Sequence, residues 1–346
     1  MWRWDITADY AMKKLFTFML FVFGALSVWA ESFVKDNICY IIEDDMQVTA
    51  TAIGTSPSGE VTIPEFITDN GTAYMVTKVD FFGVTDVTRL NLPRSIKEIG
   101  EQAFYGAEKL EYINWAQITA LQTIGERAFV YSGLKEVTLP FNVRTVGENA
   151  FSGCEQLTTL TIQAMYLTEL ADNVFANCTN LKSLDLSTTH IQKIGNGAFY
   201  GCSALKTVKL PLLTLTEIGE TAFAGCTSLT QFTIPNTVTK LGKQFLAWNT
   251  NLTTITTQSY SPCTATSDTF DGIDKNKVTL MVPAGAVAQY RRANGWKDFI
   301  NITDGVQAVE NVSADTQAPA KYMIDGNIYV RHAAKTYTLI GAEVKR

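Results

Sequence analysis

The chain has 346 residues, of which 46% are hydrophobic and 18% are charged; this composition is typical of a folded protein with ample apolar material for an extended core. The formal net charge is −6 and no block of lysine and arginine stands out, so nucleic acid is not a predicted partner. The two histidines, His190 and His332, lie far apart in the sequence, which disfavours a histidine-based metal site.

Residues 1–30 are predicted to be a signal peptide. A basic pair at positions 13–14 precedes an apolar stretch over residues 15–28, and Val28-Trp29-Ala30 then offers small residues to a signal peptidase. We expect translation to begin at Met12 and cleavage to follow Ala30. The alternative, a membrane anchor, is weaker because the apolar run is short of the ~20 residues that a spanning helix needs. The mature chain is therefore expected to be secreted or on a bacterial cell surface, with no transmembrane segment.

An internal repeat is the strongest signal in the sequence. Residues 143–162 and 167–186 share the pattern apolar-x-x-apolar-(Gly/Ala)-x-x-(Ala/Val)-Phe-x-x-Cys-x-x-Leu-x-x-Leu-x-apolar. Two further copies follow, and looser copies lie on either side. The cysteines of the four best copies are 24 residues apart, at Cys154, Cys178, Cys202 and Cys226. In one later copy Leu246 stands at the position of the repeated phenylalanine.

The chemistry of one repeat predicts its structure. In Leu-x-x-Leu-x-Leu the last apolar residues alternate with polar ones, as in a half-buried strand. Such a strand buries its apolar side only by stacking on its neighbours, so the copies should form a parallel ladder with rungs ~4.8 Å apart. The repeated glycine permits a bend where a Cβ would interfere, alanine lets the backbones approach, phenylalanine fills the interior, and the prolines at 93, 140, 211 and 235 end the ladder.

This pattern resembles the BspA-like family of bacterial leucine-rich repeat proteins, whose unit carries the same Ile-Gly-x-x-Ala-Phe-x-x-Cys-x-x-Leu-x-x-Leu-x-Leu-Pro string. The resemblance covers residues 76–255. It implies a β-rich leucine-rich repeat solenoid, built from rungs of 22–25 residues with a parallel sheet face and a cap at each end. The family is associated with secretion or surface exposure, and some members are adhesins. The resemblance carries over the fold and not a particular ligand.

The flanks are predicted to be caps and a tail. Residues 31–75 should form an N-terminal β cap, with hairpins through Glu43-Asp44-Asp45 and Asp69-Asn70-Gly71. The solenoid is expected over residues 76–282. A C-terminal cap with a short helix around residues 284–292 is expected over 283–305, then a linker over 306–320. Residues 321–346 should form a small β tail with a turn at Asp325-Gly326-Asn327.

No catalytic, cofactor or metal site is predicted. The 24-residue spacing of the four cysteines favours a column of small buried free thiols, although bridging between adjacent rungs stays open; the pairing of Cys39 and Cys263 is left open. The acids of residues 268–274 lack the full calcium-loop pattern, and His190 is expected to be solvated. No nucleophile, zinc or phosphate-binding motif is present. Glu101, Glu126, Glu148 and Glu220 recur after the repeated glycine and are taken as a surface position.

Binding is therefore the predicted function, by adhesion or another protein–protein interaction. The two x positions of the strand should point outward in two columns and form a ligand face. Its members are Arg89, Tyr112, Asn114, Glu136, Thr138, Thr159, Thr161, Asp185 and Lys209. Large and charged groups concentrate at Arg89, Tyr112, Asn114 and Glu136, and a protein or glycan ligand is expected there. The alternatives are a merely solvated face and a glycan-binding or glycan-degrading accessory protein.

Overall fold

Each repeat forms one rung of a solenoid, and each rung contributes strands to two parallel ladders. The computed structural model describes residues 31–44, 46–306, 320–324, 327–332 and 335–338. The predicted signal peptide and residues 307–319 of the predicted linker lie outside these ranges. Within them, no helix has the length and apolarity that a membrane crossing requires.

The front ladder is built from the Leu-x-Leu segments. Its strands are β4 (Gly59–Thr62), β7 (Val87–Asn91), β9 (Tyr112–Ile113), β11 (Glu136–Leu139), β13 (Thr159–Ile162), β15 (Ser183–Asp185), β17 (Thr207–Lys209), β19 (Gln231–Ile234), β21 (Thr254–Thr257), β22 (Thr279–Pro283) and β23 (Asn301–Val306). They pair in parallel within four groups, β4-β7-β9, β11-β13, β15-β17 and β19-β21-β22-β23. The predicted parallel ladder is confirmed.

The back ladder is built from the segments that precede the repeated glycine. Its strands are β3 (Gln47–Thr51), β6 (Thr72–Asp80), β8 (Glu98–Ile99), β10 (Thr123–Ile124), β12 (Thr145–Val146), β14 (Glu169–Leu170), β16 (Lys193–Ile194), β18 (Glu217–Ile218) and β20 (Lys240–Leu241). The repeated glycine follows these strands where two rungs meet. A Cβ added at Gly125 would lie 2.5 Å from the Glu101 backbone nitrogen, so a Cβ would interfere at the repeated glycine, as predicted.

The N-terminal segment is an antiparallel meander that merges into the solenoid. Strands β1 (Ser32–Lys35), β2 (Ile38–Asp44) and β3 pair antiparallel, and β5 (Phe66–Asp69) forms a hairpin with β6 through Asn70-Gly71. Both segments pair as hairpins, as predicted, but Glu43 and Asp44 of the first predicted turn belong to strand β2, and Asp45 lies outside the described residues. The front ladder already begins at β4, inside the predicted cap, because β4 pairs in parallel with β7.

The C-terminal end is closed by aromatic residues. The short helix α1 (Val287–Tyr290) lies between β22 and β23, and β23 extends the parallel ladder into the predicted cap and up to Val306. The buried Trp296 ring packs 4.7 Å from Phe270 and its indole nitrogen donates to the Cys263 carbonyl at 3.1 Å. In the tail, the backbones of β24 (Ala320–Ile324), β25 (Asn327–His332) and β26 (Lys335–Thr338) form an antiparallel sheet.

A stack of phenylalanines fills the core. We call it the Phe column; it consists of Phe104, Phe129, Phe151, Phe175, Phe199 and Phe223, all with 0% exposure. Neighbouring ring centroids are 5.1–5.6 Å apart and the rings are parallel within 12°. Beyond Phe223 the aromatic contacts continue through Phe232 to Phe245. Leu246 is buried as predicted, but the ring in that rung is supplied by Phe245, the residue before it.

The four repeated cysteines are buried free thiols, as predicted, and each donates a hydrogen bond. Cys178, Cys202 and Cys226 donate from Sγ to the carbonyls of Phe151, Phe175 and Phe199 at 3.3–3.4 Å. In the next rung the amide of Asn249 takes the place of the thiol and donates to the Phe223 carbonyl at 2.9 Å. The side chain at the repeated position therefore donates a hydrogen bond to a buried carbonyl. This role explains the recurrence of cysteine better than packing alone.

Candidate ligand-binding face

The front ladder places the predicted face residues in register on its outer side. Arg89 lies opposite Tyr112, Glu136 opposite Thr159, Thr138 opposite Thr161, and Asp185 opposite Lys209. Seven of these nine residues are exposed: Arg89, Tyr112, Glu136, Thr159, Thr161, Asp185 and Lys209. Thr138 is half-buried. Asn114 is the exception.

Asn114 points inward, so its predicted outward position is wrong. Its side chain is only 7% exposed. The side-chain oxygen accepts from the Leu92 backbone N–H at 2.8 Å, and the side-chain nitrogen donates to the Leu92 carbonyl at 2.9 Å. The amide group thus bonds Leu92 as a peptide group of the next strand would. Asn114 is a structural residue because it satisfies two buried backbone groups.

The strand that carries Tyr112 ends early because a tryptophan follows at the inward position. Trp115 stands where other rungs have leucine or isoleucine, and residues Trp115–Gln117 turn into a 3-10 helix. The Trp115 ring packs 5.8 Å from Phe129, and its indole nitrogen donates to the Glu136 carbonyl at 3.2 Å. Strand β9 therefore pairs with β7 but not with β11.

A cleft opens where the ladder is interrupted. Its volume is about 460 Å³, and its lining includes Arg89, Glu111, Tyr112, Trp115, Gln117, Lys135, Glu136 and Thr138. The Arg89 guanidinium lies over the Tyr112 ring, 4.1 Å from the centroid, an arrangement that fixes both side chains. Lys135 pairs with Glu111 at 2.7 Å. Among the residues that the structure describes, the Glu136 carboxylate has no ion-pair partner.

Farther along the face, the charged side chains form an ion pair with each other. Lys209 pairs with Asp185 at 2.9 Å. Partial burial raises the pKa of the Asp185 carboxyl, but hydrogen bonds from Ser187 and Lys209 outweigh it, so this pKa lies below its usual value. The carboxylate and ammonium of this pair are therefore less available to a ligand than the groups of the cleft.

The sequence pattern pointed to the right region but not to the cleft itself. Arg89, Tyr112 and Glu136 come together at its wall, as the predicted concentration of large groups indicated. Trp115 and Gln117 were missed. The available signal was the string Tyr112-Ile-Asn-Trp115, because a tryptophan at the last apolar position is too large for the place that leucine takes in other rungs.

The remaining candidate positions behave as ordinary surface. His190 is exposed, as predicted. The Asp268 carboxylate accepts a hydrogen bond from Thr266 and faces Lys243 at 3.5 Å. Within the described ranges, no group of three or more His, Cys, Asp or Glu side chains has the arrangement of a metal site.

Stacked rungs with a parallel face on leucine-rich strands and a buried phenylalanine column define a leucine-rich repeat solenoid. A family model, the BspA type leucine-rich repeat region, matches residues 61–182 and 168–281 with six copies. The chain belongs to this family, as the sequence resemblance indicated. Among curated protein sequences, none matches the chain significantly.

One solved structure shows the same fold, and two others are similar to parts of the chain. A leucine-rich repeat protein from Bacteroides ovatus is 23% identical, with 80% of this chain and 77% of that chain covered and a TM-score of 0.53. The pneumococcal vaccine antigen PcpA is 17% identical over 82% of this chain and 99% of its own, with a TM-score of 0.37. The leucine-rich repeat protein of T. pallidum is 21% identical over 68% and 86%, with a TM-score of 0.35.

Proposed function

We propose that this chain is a secreted or cell-surface binding protein that attaches to a protein ligand through the cleft. Membership of the repeat family supports a binding scaffold, and the predicted signal peptide supports export. The observation that carries the proposal is the position of the cleft, where a stacked Arg89–Tyr112 pair and Glu136, which has no ion pair within the described ranges, line one concave surface.

The chemistry of the cleft suits a protein partner. Tyrosine, tryptophan and arginine are the side chains that most often dominate binding energy at protein interfaces, particularly in partly enclosed sites. Glu136 offers a carboxylate for a cationic side chain of the partner, and the edge of the Arg89 guanidinium offers donors for a carboxylate or a peptide carbonyl. A ligand that bridges both groups would be oriented across the ladder.

Hydrolysis of glycans is less well supported than binding. Glycoside hydrolysis ordinarily uses two carboxyl groups that flank the scissile bond. Two acids line the cleft, but Glu111 is held by Lys135 at 2.7 Å. This leaves Glu136 as the one carboxylate in the lining without an ion pair among the described residues, so we propose a binding site and no reaction.

The proposal is tested with a triple variant, R89A/Y112A/E136A, in a binding assay on a panel of immobilised extracellular-matrix proteins. Asn114 is left unchanged because it is structural. The matched control is D185A/K209A, which removes the Asp185–Lys209 ion pair from the same face. We expect the triple variant to lose binding by about a hundredfold while the control stays within about threefold. Equal loss in both variants, or no binding by the parent chain to any protein of the panel, would refute the cleft as the site.

Export is tested separately in the native cell. Fractionation should place the protein in the medium or on the cell surface, where protease added outside the cell degrades it. Protein that stays inside the cell would contradict the proposed location, whatever the binding assay shows.

A further inference from the structure

A second exposed feature lies along the turn that follows the Phe column. We call this line of positions the turn edge; it comprises the residue two places after each member of the Phe column and after Leu246, and its members are Gly106, Tyr131, Gly153, Asn177, Gly201, Gly225 and Trp248. Each donates its backbone N–H to a carbonyl of the next rung, for example Gly201 to Ala224 at 2.8 Å and Trp248 to Gly272 at 3.1 Å. All seven have positive φ, between 57° and 72°.

This conformation favours glycine or asparagine, yet Trp248 adopts it with φ of 60°. The ladder of backbone hydrogen bonds imposes this geometry, so backbone preference does not explain why a tryptophan occupies the position. Burial does not explain it either, because Trp248 is 50% exposed. A large aromatic residue at such a position calls for an explanation in its side chain.

Trp248 is paired with a second exposed ring. The centroid of Tyr200 lies 6.3 Å from that of Trp248 and the rings are nearly perpendicular, at 88°. The rung between them has only Ala224 and Gly225 at the corresponding positions. Tyr200 is 38% exposed. The two rings therefore form an aromatic surface that the protein itself leaves partly uncovered.

The turns of the three rungs that carry or separate these rings are polar and uncharged, whereas the following rung, whose Gly272 accepts the Trp248 N–H, carries Asp271 and Asp274. In the three rungs concerned, residues 200–203, 225–228 and 248–251 contain no charged side chain. Hydroxyl and amide groups of Ser203, Thr227 and Asn251 are fixed by hydrogen bonds to carbonyls of the preceding rung, at 2.8–3.4 Å. The site therefore combines aromatic faces with fixed neutral donors and acceptors.

We propose that Tyr200 and Trp248 form a binding site for neutral glycans. A sugar ring presents one face of C–H groups and a rim of hydroxyls, so it can stack on an aromatic ring while its hydroxyls reach Ser203, Thr227 or Asn251. Exposed contiguous aromatic surface with a polar rim is typical of a binding site. The uncharged turns, together with the carboxylates of Asp271 and Asp274 in the following rung, disfavour anionic polysaccharides. This site is separate from the cleft and does not depend on the function proposed for it.

The chain supplies its own matched control at the other end of the turn edge. Tyr131 has φ of 57°, is exposed, and contacts Tyr105 edge-on with centroids 6.0 Å apart. Its rungs carry charged residues next to the turn, namely Glu108, Lys109 and Glu155. The Tyr131 pair thus reproduces the aromatic geometry, but with Glu108 and Lys109 in the turn that carries its partner ring.

The test is affinity electrophoresis of the full chain in gels that contain mannan, xylan, dextran or mixed-linkage β-glucan, with heparin as an anionic probe. The variants are W248N and Y131N, because Asn177 already occupies the same position with φ of 58°. We expect at least one neutral polysaccharide to retard the parent and Y131N equally. W248N should bind it about tenfold or more weakly. Circular dichroism of each variant verifies the fold.

Three other outcomes would contradict the proposed glycan site. No retardation of the parent by any of the four neutral polysaccharides, retardation by heparin alone, or equal weakening in W248N and Y131N would each overturn the assignment. Oxidative footprinting gives an independent readout, because a bound glycan should protect Trp248 in the parent chain. The R89A/Y112A/E136A variant should keep its glycan binding, so failure of the cleft proposal is distinguishable from failure of this one.

Discussion

Replacement of Phe199 by alanine should measure the strength of the Phe column. The ring has 0% exposure and lies between Phe175 at 5.6 Å and Phe223 at 5.3 Å. Truncation of a buried phenylalanine costs about 3–5 kcal/mol, and aromatic pairs contribute about 0.5–1.5 kcal/mol beyond their buried area. Two such pairs are lost here, and ladders on both sides hinder collapse of the cavity. We therefore expect a loss of about 4–5 kcal/mol in the free energy of unfolding.

The assay is urea unfolding followed by circular dichroism, with F199L as the matched control. Leucine keeps much of the apolar volume of phenylalanine but not its ring, so F199L should lose only about 1–2 kcal/mol. Hydrogen exchange should show where the damage lies. The amides of Phe175 and Phe199, which donate to Ala198 and Ala222 at 2.9 and 2.8 Å, should exchange faster, because rungs are held by their neighbours.

Two results would contradict this reasoning. If F199L unfolds at the same urea concentration as the parent chain, the stacked rings contribute nothing beyond apolar volume. If exchange accelerates uniformly from the N-terminal meander to Trp296, the solenoid responds as one unit and the nearest-neighbour picture fails.

Three further predictions concern buried polar groups and export. Burial raises the pKa of the Cys202 thiol to about 12 from 9.0, so iodoacetamide at pH 8 should modify it only after unfolding; rapid labelling of native protein would refute its burial. Because the thiol ionises near pH 9 in the unfolded chain but stays protonated up to about pH 12 in the folded one, the free energy of unfolding should be constant below pH 9 and fall between about pH 9 and 12. The fall should be less steep in C202S, because serine does not ionise in this range. Asn114→Ala should cost about 1–3 kcal/mol in urea unfolding because the Leu92 backbone N–H loses its partner; an unchanged midpoint would contradict that. Sequencing of exported protein should begin at Glu31, and retention of residues 15–28 would disprove cleavage.

The periodic part of the fold could be predicted because the repeat is strongly marked. Phenylalanine, cysteine and leucine recur at fixed intervals, so a single alignment of the copies gives both ladders and the buried positions. The start of the front ladder was placed too late, since the first rung lacks the phenylalanine and cysteine. Its strand β4 is nevertheless visible in the string Val61-x-Ile63-Pro64, which has the same form as Leu90-x-Leu92-Pro93.

The cleft could not be predicted from alternation alone. Alternation assigns Asn114 outward, but the size of Trp115 turns the chain and frees the Asn114 amide to bond Leu92. That outcome depends on the space beside Phe129 and Phe151, which is a property of the stacked rungs and not of one repeat. The Tyr200–Trp248 contact was likewise invisible, because it joins two residues 48 positions apart that share no repeated position.

The constant 24-residue step has a consequence for how the two proposed sites are spaced. Ring centroids of adjacent Phe-column members are 5.1–5.6 Å apart, so removal of one whole unit between the sites, residues 155–178, would rejoin the ladders in register. Each rung removed or inserted would therefore change the distance between the two proposed sites by about 5 Å. The avidity of a partner that binds both sites at once depends on the distance between them, so it would change with each rung removed or inserted.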